Sequence, residues 1–509
     1  MQQIKTVSFS AFLALMASLV IITACQAQSN GRQNGQLGWE RSHGGGHAKY
    51  IFYFIGDGMA SVQVHAAEAY LASLMEGDEV PGSEKAELLT MSRFPVQGMS
   101  TTFANNRLIT GSAAAGTALA CGKKTNINVI SMDPDGTIPY ASIAEKAKEA
   151  GMKVGIVSSV SIDHATPAVF YAHQETRKNY HEIAMELANS DFDYFGGGGF
   201  HDDESGPGDA IETAMGNGFT FAYTWPELEA IEPGTRTIAM NHTLAGGSAL
   251  YYELDRPADH LSLAEFTRQG IRLLDNPRGF FMMVEGGKID WACHANDARA
   301  AIDDTIAFDD AIREAVEFYH RHPNQTLIVI TADHECGGMT MGFAGTGYDT
   351  AFEVLERQTM SYEMFDNTVL ADYKATHNPA PVDIDMTMWN LVLDAFGLDG
   401  AGLTADTADD LTDFQLERLE DAFDRSMTGT VVGTAEEDWL LYGYYEPFTV
   451  TLTHILNEKA GISWTSYSHT GVPVPVLAKG KTGPFFDGFY DNTDIPQKIA
   501  DAMGVDLFY

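Results

Sequence analysis

Tyr50-Ile51-Phe52-Tyr53-Phe54-Ile55-Gly56-Asp57-Gly58 runs apolar for six residues, then breaks on a glycine and an acid. Short, unbroken runs rich in aromatic and β-branched residues suit central strands covered on both faces. Residues 154–157, 280–284 and 326–330 read the same way, while 141–150, 297–320 and 415–427 read as helices. Alternation of this kind predicts an α/β fold, a three-layer α/β/α sandwich around a central, mainly parallel sheet.

Three of the runs end in acids: Asp57, Glu285 in Glu285-Gly286-Gly287, and Asp333 in Ala332-Asp333-His334. Ligands of open parallel sheets bind beyond the carboxyl ends of strands, so these acids are expected to gather along one edge. Burying such like charges costs several kcal/mol per ion unless a cation compensates, and a polyvalent metal is the simplest compensation. Taken singly, each acid reads more readily as a strand-end turn residue, and it is the three together, with a histidine beside one, that point to a cation.

Asp290 and His294 follow at i and i+4, on one helical face, five residues after Glu285. Such a pair alone is more often a surface pair, but its place beside Glu285 assigns it to the same cluster. In Ile109-Thr110-Gly111-Ser112-Ala113-Ala114-Ala115-Gly116, Ser112 sits where a small-residue helix begins. It reads as a helix cap, or as a hydroxyl at a helix N-terminus that offers free N–H groups to a phosphate. A serine needs a base or a metal to become a nucleophile. Asp163-His164-Ala165-Thr166-Pro167 is followed by Arg177, whose planar guanidinium can hold two phosphate oxygens.

The 509 residues are 45% hydrophobic, 11% aromatic and 20% charged, a globular balance. Lys and Arg total 31 against 70 Asp and Glu, for a net charge of −39, so binding to nucleic-acid phosphates is disfavoured. Lys5 is the only charged side chain before an apolar stretch, 11–22, which is too short to span a membrane convincingly. It ends in Ile22-Thr23-Ala24-Cys25, similar to the lipobox of bacterial lipoprotein signal peptides, which implies cleavage before Cys25 and lipidation of its thiol. An ordinary signal peptide cut near Ala27 is the alternative, and both export the chain. The expected organisation is a signal peptide at 1–24, a Gln/Gly/Ser-rich tether at 25–48, and one catalytic domain at 49–509. Residues 345–460, with an acidic stretch at 406–413 and an aromatic patch at 439–448, read as an insertion or cap near the active-site rim. Cys121, Cys293 and Cys336 read as small buried hydrophobes, able to form one disulfide at most.

Six segments in order resemble the alkaline phosphatase family: Ile55-Gly-Asp57-Gly-Met, Gly111-Ser112-Ala-Ala-Ala-Gly-Thr, His164-Ala-Thr166-Pro, Glu285-Gly-Gly-Lys-Ile-Asp290, Thr331-Ala-Asp333-His334 and Ser468-His469-Thr470-Gly. The resemblance implies hydrolysis of small phosphate monoesters, with Ser112 as the phosphorylated nucleophile and Arg177 as the phosphate clamp. It implies one Zn2+ on Asp57, Asp333 and His334, a second on Asp290, His294 and His469, and Mg2+ on Asp57, Thr166 and Glu285. His469 is selected only by the resemblance. The chain departs from well-known members in three places. Gly111 stands where they carry an aspartate that helps orient the arginine. His164 stands where some place a magnesium-site aspartate, and Trp291, which with Arg177 is expected to bind substrate, follows Asp290 where some carry lysine. Imidazole is a poor partner for a hard cation, so the third site is expected to hold Mg2+ through water or to exchange it partly for zinc.

Two rival readings remain open. One is a phosphodiesterase or sulfatase of the same superfamily, although the Cys-x-Pro-x-Arg motif of sulfatases is absent. The other is a non-catalytic surface lipoprotein that binds metal or phosphate. The expected location is the periplasm or the outer membrane and cell surface, with a lipid anchor at Cys25. A homodimer is one assembly compatible with the sequence.

Overall fold

Successive residues of the 50–55 run point to opposite sides. Tyr50, Phe52 and Phe54 enter one core, while Ile51, Tyr53 and Ile55 enter another. Phe280 and Met282 alternate with Phe281 and Met283 in the same way, as Ile328 and Ile330 do with Leu327 and Val329. A strand whose two faces are both apolar must be covered on both, which is why the sequence lacks the apolar–polar alternation of a half-exposed sheet. The three-layer sandwich follows.

The computed structural model describes residues 46–75, 88–201, 208–377, 383–403, 410–429 and 434–508. The signal peptide, Cys25, the tether up to residue 45 and residues 406–409 of the acidic stretch lie outside the described residues. The strands are β1 (Tyr50–Gly56), β2 (Val96–Thr101), β3 (Lys153–Ser158), β4 (Tyr194–Gly197), β5 (Thr220–Ala222), β6 (Thr237–Met240), β7 (Phe280–Gly286), β8 (Thr326–Ala332), β9 (Glu335–Cys336), β10 (Thr340–Met341), β11 (Ile462–Ser463), β12 (His469–Thr470), β13 (Val474–Gly480) and β14 (Gly488–Asp491). Ten of them form one sheet in the order β14-β2-β13-β8-β1-β7-β3-β4-β6-β5. Every pairing in it is parallel except those of β13 with β2 and β8.

The expected helices form at Ile143–Glu149, Ala298–Arg321 and Asp413–Thr428. Each begins on a side chain that accepts a first-turn N–H: Ser142, Asp297 and Thr412. The helix Ala298–Arg321 packs its aromatics on β1, with ring centroids 5.8 Å apart for Phe54 and Phe308 and 5.6 Å apart for Phe52 and Phe318. Phe54 is fully buried there. Phe54→Ala is therefore expected to cost about 3–5 kcal/mol of stability, from lost transfer energy plus an unfilled cavity. A denaturant titration that finds less than about 1 kcal/mol would refute this account of the core.

The 345–460 region leaves and rejoins the fold at one place. β10 and β11 pair antiparallel, Thr340 opposite Ser463, and Gly342 N–H donates to Gly461 O at 2.6 Å. The segment between them is helical for much of its described length, including Met386–Phe396 and Pro447–Ala460. It grips the body of the fold through polar contacts. Asp297 accepts from Gln358 Nε2 at 3.0 and 2.9 Å and from Tyr362 N at 2.9 Å. Lys288 Nζ, on the helix that carries Asp290, meets Glu363 Oε2 at 3.0 Å.

Candidate active site

Sheet register assembles the acids. Gly56 lies opposite Gly286 on one side and Ala332 on the other, so Asp57 and Asp333 each leave their strand one residue beyond aligned ends. Glu285 is opposite Ile55 and Ser158, one step back on β7. Gly58 makes the turn after Asp57 with a positive φ of 71°. Its missing Cβ matters as well, since a methyl there would stand 2.9 Å from Asp290 Oδ1.

Three clusters result. In the first, His334 Nε2 lies 3.1 Å from Asp333 Oδ2 and 3.4 Å from Asp57 Oδ1. Ser112 Oγ sits against it, 3.3 Å from His334 Nε2 and 3.5 Å from Asp57 Oδ1. Ser112 is the first residue of the helix Ser112–Cys121, and Gly111, the cap, provides no side-chain acceptor, so the first N–H groups are left for a ligand.

In the second cluster, His294 Nε2 and His469 Nε2 approach to 3.0 Å, at 3.4 and 3.5 Å from the Asp290 oxygens. His294 Nδ1 contacts Tyr467 O at 2.7 Å, and His469 Nδ1 contacts Thr110 O at 2.9 Å. A carbonyl only accepts, so each Nδ1 carries the ring proton and each Nε2 turns a lone pair into the cluster. Cys336 joins these three, its sulfur grouped with their ligating atoms within 4.8 Å.

The third cluster joins Asp57 to Glu285 and His164. Thr166 Oγ1 donates to Asp57 Oδ2 at 3.4 Å, and Ser158 Oγ donates to Glu285 Oε2. All the expected metal residues except Thr166 thus fall into clusters of candidate donors, and Thr166 bonds to one of them.

Electrostatics follow from burial. Burial, then the charges of Asp333, Asp290 and Glu285, pushes the Asp57 carboxyl well above its usual range. Burial foremost raises Glu285 to about 8. Burial works the same way on Asp290, but His294, His469 and His334 outweigh it and hold that carboxyl below its usual range. Burial, then His334, lowers His469 to about 4, so it is neutral at ordinary pH. Glu285 Oε1, Asp290 Oδ1 and Asp333 Oδ2 are buried without a hydrogen-bond partner. Oxygens orphaned this way, beside two facing imidazole lone pairs, are what a set of bound cations would satisfy, and the donor types suit zinc.

Arg177 and His164 meet directly. Arg177 Nη2 lies 2.6 Å from His164 Nε2. A guanidinium has no acceptor, so Nε2 accepts and the neutral ring carries its proton on Nδ1. Burial, then Arg177, holds the His164 pKa well below the usual range, in keeping with that neutral form. His164 thus has two neighbourhoods, the donor group with Asp57 and Glu285 expected from the sequence and Arg177, beside which Gly111 offers no carboxylate. Trp291 packs edge-on against His164, with ring centroids 5.8 Å apart. His164→Ala should raise KM for a phosphate ester about tenfold, the scale of one lost charge-assisted contact. It should lower kcat less. A fall confined to kcat would show that His164 does not act through Arg177.

Comparison with known proteins gives one answer. The alkaline phosphatase family model matches residues 48–196 and 239–391. Alkaline phosphatase 3 of Bacillus subtilis is 28% identical over 516 residues, spanning 98% of this chain and 96% of that one. The repressible alkaline phosphatase of Saccharomyces cerevisiae is 26% identical over 500 residues, spanning 90% and 82%. Among solved structures, a cold-active alkaline phosphatase from a psychrophilic Shewanella matches with a TM-score of 0.71 at 26% identity, covering 89% of this chain and 99% of that one. Thermus thermophilus alkaline phosphatase shares the fold, with a TM-score of 0.71 at 24% identity over 92% and 95%.

Proposed function

Because this chain belongs to the alkaline phosphatase family, we propose that it is a phosphomonoesterase that works through a phosphoserine at Ser112. The observation that carries the reading is the position of Ser112 Oγ, 3.3 Å from His334 Nε2 and 3.5 Å from Asp57 Oδ1, at the uncapped start of a helix.

Asp57, Asp333 and His334 would hold one Zn2+, and Asp290, His294 and His469 a second. Asp57, Glu285 and Thr166 would hold Mg2+, directly or through water. Bound there, the cations supply charge that stabilises the attacking and leaving oxygens of an in-line displacement and makes a hydroxyl or a water more acidic.

The chain's own groups do the rest. The free N–H groups of the helix Ser112–Cys121 and the guanidinium of Arg177 bind the phosphoryl oxygens. Phosphoryl transfer asks mainly for such positioning and charge neutralisation. His164 Nε2 fixes one edge of Arg177, and Trp291 limits where that pair can turn. The Ser112 O–H bond breaks with its proton passing to solvent, Oγ bonds to phosphorus as the P–O ester bond breaks, and the departing ester oxygen takes up a proton from solvent to leave as the alcohol. Water then attacks the phosphoserine, which releases orthophosphate and returns the hydroxyl.

The test is hydrolysis of nitrophenyl phosphate and of its bis-ester by the purified protein, before chelation, after it, and after zinc is returned. Turnover of the monoester should greatly exceed that of the bis-ester, vanish on chelation and come back with zinc. Equal turnover of the bis-ester would support the diesterase reading instead. Monoester hydrolysis that survives complete metal removal would overturn the metal assignments.

A further inference from the structure

We propose that Cys336 is a metal ligand, the fourth protein donor of the centre formed by Asp290, His294 and His469. The inference rests on the metal reading above and concerns a residue that the sequence marks only as a small buried hydrophobe.

Backbone pairing puts the thiol there. β9 and β12 pair antiparallel with Cys336 directly opposite His469. Side chains opposite each other in such a ladder share a face, with Cβ atoms about 4.5–5.5 Å apart. Both sides of Cys336 are pinned, its N–H donating to Gly58 O at 3.1 Å and its carbonyl accepting from Gln63 Nε2 at 3.2 Å. These contacts fix the direction of the Cα–Cβ bond, so the sulfur stays on the face that it shares with His469. Gly58 makes the room, since a Cβ there would stand 2.9 Å from Cys336 Cβ and 2.9 Å from Asp290 Oδ1.

The result is one carboxylate oxygen, two imidazole nitrogens and one sulfur, with the ligating atoms within 4.8 Å of one another. A second observation points to the same ligand. Asp290 is only 4% exposed, and its Oδ1 is buried with no hydrogen-bond partner. The other described cysteines are engaged elsewhere, Cys121 Sγ with Ser131 Oγ at 3.3 Å and Cys293 Sγ with Gln63 Nε2 at 3.8 Å.

The chemistry is specific. On coordination the S–H bond breaks, a sulfur–metal bond forms and the proton leaves to solvent. A soft sulfur donor biases the centre towards Zn2+, Cd2+ or Co2+ and away from Mg2+ or Ca2+. Four protein donors fill a tetrahedral shell, so substrate or water would take the fifth position that zinc sites can open during reaction.

Cobalt replacement in the intact chain tests this. The cobalt protein should show a sulfur-to-cobalt charge-transfer band in the near ultraviolet. The band should persist in Cys121→Ser and Cys293→Ser and be lost in Cys336→Ser. Zinc affinity of Cys336→Ser should fall at least tenfold, the low end of what losing even a partner outside the coordination shell costs. If Cys336→Ser does not fold, the spectrum of the Cys121→Ser/Cys293→Ser double variant still decides. Cobalt bound without a sulfur band, in an amount that drops in His294→Ala, overturns the ligand role and leaves the metal centre standing. Cobalt stoichiometry that His294→Ala leaves unchanged overturns both this proposal and the metal reading beneath it.

Discussion

Ser112→Ala should lower kcat/KM for a phosphate monoester by about 10^3-fold or more, roughly 4 kcal/mol of transition-state stabilisation. Bound metal should not change. On the proposed reading the side chain accepts a phosphoryl group, yet it is not needed to build the site. Gly111, not Ser112, caps the helix, so no helix-capping bond is lost. Ser112 is buried, and the change removes one oxygen from a contact with Asp57 and His334, which keep their contacts with each other and with Asp333. Stability should therefore move by less than about 1 kcal/mol. The residual rate would come from direct attack of water on substrate still held by Arg177 and the helix N-terminus. Acid-quenched parent protein should carry covalent phosphate after reaction with substrate, and the variant should carry none. Undiminished hydrolysis in the variant would end the nucleophile assignment. Lost hydrolysis together with lost metal would mean that the hydroxyl supports the centre rather than the chemistry.

The strands were legible because the physics that buries them is local. A run such as 50–55 has no polar face, so it can only be an inner strand, and the turn to Gly56-Asp57 marks which end carries the chemistry. The pairing of Asp57 with Asp333 was legible only as a tendency of strand ends, since the register of β1 against β8 is set by long-range pairing. The i, i+4 relation of Asp290 and His294 was readable because a helix period is fixed. Nothing comparable marks His469. It reaches the site through a two-residue strand, β12, opposite an equally short β9. Pairs that short have no pattern of their own, which is why the same ladder also hid Cys336. Its burial was readable from residue type, and its neighbours were not.

Two ties illustrate the same limit. His164 and Arg177 are thirteen residues apart in the chain and meet across the short helix Ala165–Ala168 and the loop after it, not on a shared helical face. Lys288 and Glu363 are 75 residues apart, one on the helix that carries Asp290 and the other in the insertion. The insertion was expected near the rim from composition alone. Its grip on the helix Lys288–His294 comes from a fully buried ammonium, which Glu363 compensates and which no spacing rule selects.

Removing the metals should make the protein less stable, and increasingly so as pH rises from about 6.5 to 8.5. In the metal-free chain Glu285 is raised to about 8, above its ordinary value of 4.5, and burial pushes Asp57 up as well. Between the unfolded and folded values the folded state holds protons that the unfolded chain has lost. Stability then falls with pH, because it rises only where the unfolded state binds more protons. His334, raised mainly by Asp333 and Asp290 against the effect of burial, adds to the same trend as it loses its proton. The opposite contributions of His469, lowered to about 4, and of His164, also lowered, persist only at the low end of this window, where an ordinary imidazole finishes losing its proton, and that of Asp290 lies below it. Bound cations reverse the sign. Carboxylates must be deprotonated to ligate, so binding releases protons and tightens with pH. At a free metal concentration about 1,000 times Kd, each site adds roughly 4 kcal/mol. The gap in Tm between reloaded and chelated protein should therefore widen from pH 6.5 to 8.5. Equal gaps at the two pH values, or a gap that narrows, would show that the buried carboxylates of Glu285 and Asp57 are not what the cations neutralise.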